Sequence, residues 1–74
     1  MKGPSGPKGN IMVPYQQRVV EERDELEARL IALDVFLESG KGNSLEPKQL
    51  ALLHIQAAHM RGYLAILNER VRGF

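Results

Sequence analysis

The sequence QLALLHIQAAHMRGYLAILNERVRGF, residues 49–74, decides the fold of this chain. Its apolar residues follow one another at alternating gaps of three and four, the spacing of an α-helix face that packs against another helix. The pattern predicts a helix over about residues 47–72, beginning at Pro47 because proline is tolerated in a first turn, with Ser44 or Glu46 as N-cap. We call this face the seam, and it comprises Leu50, Leu53, Ala57, Met60, Leu64, Leu67, Val71 and Phe74.

A second helix is predicted upstream, over about residues 14–38, with Pro14 in its first turn. Its first half is charged, whereas residues 30–37, LIALDVFL, are apolar on nearly every side. A helix that is apolar on two sides is buried on two sides, and one partner helix covers only one of them. The pattern therefore predicts that this half lies inside an oligomer.

The remaining segments complete the predicted architecture. Residues 39–46 contain Gly40 and Gly42 and are typical of a turn, with Gly40 as a C-cap. So short a connection favours an antiparallel arrangement of its two helices. Residues 1–13 are rich in glycine and proline and are predicted to form a flexible tail. The predicted fold is all-α: a two-helix antiparallel hairpin over residues 14–74, with a flexible N-terminal tail, assembled into a helical oligomer.

Composition restricts the possible functions. With 74 residues the chain forms one small domain, for which self-association is the default expectation. Ten basic and nine acidic residues give a net charge of +1, which disfavours binding to long nucleic acid. We find no apolar run long enough to span a bilayer and no signal peptide.

Neither a metal site nor a catalytic site is predicted. The chain has no cysteine, and His54 and His59 are five residues apart, which is not the i, i+4 spacing of zinc ligands on one helix face. Glu21 and Glu25 lie on a charged face beside arginines, where ion pairing explains them better than acid–base chemistry. We therefore expect a protein that is not an enzyme and needs no cofactor.

A line of polar residues runs beside the seam. Gln56, Tyr63 and Arg70 recur every seven residues, and His59 lies one turn from both Gln56 and Tyr63. Such mixed groups indicate a second contact, with either another subunit or a ligand. The arginines of this helix have three explanations: they suit the helix dipole, they pair with the Glu-rich half of a neighbouring helix, or they form an anion pocket.

The two helices resemble a helical-hairpin family of small phage proteins that includes anti-CBASS and anti-Thoeris sponges. The resemblance covers most of the chain. It is carried by the leucines of the first helix and by Tyr15, Gln16, Arg18, Val19, Leu53, Gln56, Met60, Tyr63, Leu67 and Arg70.

The resemblance implies a compact homo-oligomer, typically a hexamer, in the cytoplasm of the infected bacterial host. Such a protein sequesters cyclic oligonucleotide immune signals, cyclic di- or trinucleotides, without cleaving them. The alternative is a structural or protein-interaction oligomer with no small-molecule ligand.

The chemistry of a cyclic nucleotide suggests which residues bind it. Phosphates favour arginine, and bases favour an aromatic face together with amide or imidazole groups at their edges. A twofold or threefold axis would repeat each residue around the ligand. We expect Arg61, Arg70 and Arg72 to bind phosphates, Tyr15 and Tyr63 to stack on bases, and Gln56, His59 and Asn68 to contact base edges.

Overall fold

The computed structural model describes residues 12–74, which contain two long α-helices. Helix α1 spans Pro14–Glu38, helix α2 spans Pro47–Arg72, and a short 3₁₀ helix, Lys41–Ser44, lies between them. No strand occurs within this range. The prediction of an all-α fold with two helices is therefore confirmed. Residues 1–11 of the predicted tail lie outside the described residues.

The helix ends follow the local chemistry of their residues. A proline occupies the first turn of each helix, and the Val13 N–H donates to Oε1 of Gln16 at 3.2 Å. Glu46, one of the two predicted candidates, is the N-cap of α2. The C-cap of α1 is Ser39 rather than Gly40. Gly40 follows it with φ of 83°, a left-handed conformation that glycine adopts without steric cost.

The seam of α2 packs against α1. Ala57 and Leu67 are fully enclosed. Leu67 forms a core cluster with Val19 and Leu26 of α1, and Met60, Leu64 and Val71 pack against this cluster and are partly buried. From α1 the buried residues are Val19, Leu26 and Leu30. Phe74, the last member of the seam, is instead exposed. Its ring meets the edge of Tyr15 with a centroid distance of 5.8 Å.

Side-chain contacts place the beginning of α1 beside the end of α2. Tyr15 contacts Phe74, and farther along α1 Asp34 is bonded to Arg61 in the middle of α2. The molecule measures 50 × 22 × 15 Å along its principal axes. These dimensions fit a single layer of two helices, since one helix with its side chains is about 10–12 Å across. A single layer leaves one face of each helix without cover. Ile31 and Val35 of α1 and Ile55 and Ile66 of α2 are exposed on these faces.

Gly42 lies where the connection passes close to both helices. It is buried, and a Cβ at this position would lie 2.9 Å from Cδ1 of Leu50 and 3.3 Å from Cε2 of Phe36. We expect Gly42→Ala to lower the free energy of unfolding by about 1 kcal/mol, the lower end of overpacking costs. The Leu50 methyl group can move away from the added Cβ, but the Phe36 ring limits how far the surroundings adjust. Thermal unfolding followed by circular dichroism measures the change.

Gly73→Ala is the matched control for this substitution. A Cβ at Gly73 would lie 3.5 Å from its closest neighbour, the Arg70 carbonyl oxygen, which is an ordinary contact distance. We expect this variant to unfold at nearly the wild-type temperature. Equal melting of the two variants would contradict the packing described around Gly42.

Candidate functional site

An open groove lies on the outward face of α2. Its volume is about 620 Å³, within the range of small-molecule pockets. All of its lining residues belong to one helix, so the groove has no second wall within a single chain. A ligand that is bound tightly has most of its surface buried, which this groove alone does not provide. The lining residues are Leu52, Ile55, Gln56, His59, Met60 and Tyr63.

Three of the predicted binding residues, Gln56, His59 and Tyr63, lie together in this groove. Their spacing of three, four and seven residues places them on one face of the helix. Nε2 of Gln56 lies 3.9 Å from the Met60 sulfur. Arg70 is exposed and lies on the same face, about 10 Å beyond Tyr63 along the helix axis. The groove thus offers an amide, an imidazole, a phenol and, farther along, a guanidinium.

Two other predicted residues connect α2 to α1. Nη1 of Arg61 donates to both carboxylate oxygens of Asp34 at 3.0 Å. These side chains are 55% and 35% exposed, so solvent screening limits their contribution to stability to about 1 kcal/mol or less. Oδ1 of Asn68 accepts a hydrogen bond from Nη1 of Arg23 at 3.3 Å. Both residues therefore have protein partners within the chain.

The remaining predicted residues lie at the end of the helix pair. Tyr15 contacts Phe74, and Nη2 of Arg72 lies 3.0 Å from Oε2 of Glu69, one turn earlier. Arg70 and Arg72 both lie in the last turn of α2, where a positive charge also suits the helix dipole. The eight predicted residues therefore lie in three separate places on one chain: the groove, the contact with α1 and this end of the helix pair. A single site that uses all eight requires more than one copy of the chain.

Leu52 and Ile55 line the groove but are not among the predicted binding residues. A signal for them was present, because they continue toward His59 and Ile66 at gaps of three, four and seven, and none of these residues belongs to the seam. A second helical stripe was therefore readable beside the first.

Three specific features are not found in residues 12–74. This range holds no group of three or more His, Cys, Asp or Glu residues arranged to hold a metal ion. It also contains no buried side-chain nitrogen or oxygen that lacks a hydrogen-bond partner. Neither α1 nor α2 is long and apolar enough to cross a membrane.

Known proteins match the chain over both helices. The model of the Sequestin family matches residues 13–72. An uncharacterized 7.5 kDa protein from the denB-rIIB intergenic region of Enterobacteria phage T4 is 38% identical over 63 residues, which is 85% of this chain and 98% of the relative. No solved structure matches the chain. These matches confirm the resemblance to a family of small phage proteins that the sequence suggested.

Proposed function

The chain belongs to the Sequestin family, and we propose that it sequesters cyclic di- or trinucleotide immune signals in the cytoplasm of a phage-infected bacterium. The family name indicates binding rather than catalysis, and the T4 relative indicates a phage protein. Sequestration requires tight binding and no reaction. The identity of the ligand is the proposed part, and it rests on the chemistry of α2.

The observation that carries the proposal is the groove with its line of polar groups. A tyrosine ring such as Tyr63 contributes about 1–3 kcal/mol when a base stacks on it. His59, one turn from Tyr63, and Gln56, two turns from it, offer hydrogen bonds to base edges. Arg70 offers a guanidinium that can hold a phosphate through two parallel hydrogen bonds. A cyclic oligonucleotide presents bases and phosphates within one compact molecule, and α2 presents a counterpart to each.

We further propose that the helices form an antiparallel hairpin and that several hairpins assemble, with a hexamer as the state that the family resemblance implies. The Tyr15–Phe74 and Asp34–Arg61 contacts support the hairpin. The groove supports the assembly, because a second subunit supplies the wall that one chain lacks. Symmetry also repeats each arginine around a shared ligand.

The second candidate function is a structural or protein-interaction oligomer without a small-molecule ligand. It is favoured by the apolar character of the groove, in which Leu52, Ile55 and Met60 make up half of the lining residues. In this case protein side chains would fill the groove, and neither Tyr63 nor Arg70 would face a nucleotide.

Native mass spectrometry with a panel of cyclic di- and trinucleotides tests the proposal. We expect one oligomer that takes up a fixed number of intact cyclic nucleotides and releases them unchanged on denaturation. Linear dinucleotides of the same base composition are the control, and we expect weaker uptake because they lose more conformational freedom on binding. An oligomer that binds no member of the panel would overturn the proposal in favour of the interaction protein.

A further inference from the structure

The outward face of α2 carries a second helical stripe, distinct from the seam. Leu52, Ile55, His59, Gly62 and Ile66 follow one another at gaps of three, four, three and four, and all five are exposed. We call them the outer stripe. This spacing is typical of a helix that packs against another helix. Because the seam already faces α1, neither of the two described helices covers the outer stripe within one chain.

We propose that a second copy of this chain packs on the outer stripe, with the two α2 helices antiparallel about a twofold axis at His59. This proposal rests on the oligomer of the proposed function and specifies one of its interfaces, including the register of the two helices. It requires no nucleotide, so it is tested separately from the ligand.

The sizes of the stripe residues support this register. In an antiparallel pair, residues equally distant from the axis face each other, and Leu52 and Ile66 each lie seven residues from His59. Ile55, four residues before His59, then lies close to Gly62, three residues after it. At each end of the contact, Leu52 of one copy therefore meets Ile66 of the other. Ile55 packs over Gly62, which has no side chain. A parallel pair would instead place Gly62 against Gly62 and leave a gap there.

Gly62 has no role within the single chain that requires a glycine. A Cβ added at this position would meet nothing within 4 Å, and glycine in a helix interior is less favourable than alanine. The close approach of another helix is a physical reason for a glycine at an exposed helix position. The second copy's Ile55 supplies that approach in the proposed register.

Charges at the ends of the stripe also complement each other. Lys48 lies eleven residues before His59, and Glu69 lies ten residues after it. The twofold axis therefore brings Lys48 of each copy close to the second copy's Glu69, on the Gly62 side of the stripe. These residues are exposed, so the pairs favour the antiparallel orientation more than they add affinity.

The twofold axis also affects the groove. Gln56 and Tyr63 lie on the side of the outer stripe away from Gly62, and in an antiparallel pair the corresponding sides of both helices lie together. The polar residues of the two copies then form one continuous trough. Each copy provides the second wall that the groove of the other lacks.

Variants with a single introduced cysteine test the register. The chain contains no cysteine of its own, so every disulfide must involve the introduced residue. Under mild oxidation we expect His59→Cys to form disulfide-linked dimers on the order of tenfold faster than His54→Cys, since pairing holds the axis thiols at a high effective concentration. His54 is exposed on α2 but lies off the outer stripe. Equal rates for these two variants would overturn the inference.

A mixing experiment separates antiparallel from parallel pairing. Leu52→Cys and Ile66→Cys, each oxidised alone, are expected to crosslink slowly, and a mixture of the two is expected to give the mixed dimer as its main product. Self-linked dimers from each variant alone, with no preference for the mixed product, would indicate a parallel pair and overturn the register.

Gly62→Leu provides a second check that does not depend on a failure to fold. Leucine favours helix more than glycine does, so the helical content measured by circular dichroism should not fall. When this substitution is added to His59→Cys, we expect disulfide formation to slow on the order of tenfold toward the His54→Cys rate, because the second helix can no longer approach. Unchanged crosslinking would show that Gly62 lies outside the interface and overturn the proposed packing.

Discussion

Leu67→Ala is expected to remove about half of the stability of this protein. Leu67 is 0% exposed and belongs to a core of only five buried hydrophobic side chains within residues 12–74. Truncation of a buried leucine costs about 2–5 kcal/mol, because it combines lost burial with a cavity that the surroundings fill only in part. A chain of this size typically has a total stability of about 4–11 kcal/mol.

The measurement is thermal unfolding followed by circular dichroism, at one fixed protomer concentration because assembly shifts the apparent stability. A loss of this size lowers the melting temperature by roughly 10–30 °C in a small domain. We expect the volume-conserving Leu67→Met to cost less than about 1.5 kcal/mol. If Leu67→Ala and Leu67→Met had the same melting temperature, Leu67 would not be the centre of the contact between the helices.

The packing of α2 was predictable from the sequence because a helix that packs on another helix repeats its apolar residues with the period of the contact. Ala57 and Leu67 lie within that repeat and are buried, and Leu67 packs against Val19 and Leu26 of α1. Phe74 continues the same repeat but is exposed. The reason is the position of α1, which begins at Pro14 and leaves Tyr15 as the residue that contacts the Phe74 ring.

The positions of the proposed binding residues were predictable only where one helix decides them. Gln56, His59 and Tyr63 share a groove because helical spacing alone places them on one face. Arg61 was expected to bind phosphate, yet it contacts Asp34, which lies 27 residues earlier in the chain. That contact depends on how the two helices rotate and cross, which the periodicity of a single helix does not specify. The roles of all eight residues in binding stay predictions, and those of Tyr15 and Arg72 depend on the proposed arrangement of subunits.

Arg70→Ala is expected to weaken cyclic nucleotide binding by on the order of 10- to 100-fold while the oligomer keeps its mass. Hydrogen bonds to a charged group contribute about 1.5–3 kcal/mol, and every 1.4 kcal/mol changes the dissociation constant about tenfold. Arg70 is exposed in the last turn of α2, outside the core formed with α1. Isothermal titration calorimetry measures the affinity, and native mass spectrometry measures the assembly.

Two control variants separate the geometry of the guanidinium from its charge. Lys41→Ala removes the same charge from the exposed connection at the other end of α2, and we expect it to bind nearly as well as the wild type. Arg70→Lys keeps the charge but loses the paired hydrogen bonds of the guanidinium, so its affinity should fall between those of the wild type and Arg70→Ala. Loss of assembly in Arg70→Ala would make Arg70 an interface residue, because a residue that contacts only the ligand is not needed to hold the subunits together. Unchanged affinity with intact assembly would remove Arg70 from the site and leave the helix dipole as its physical role.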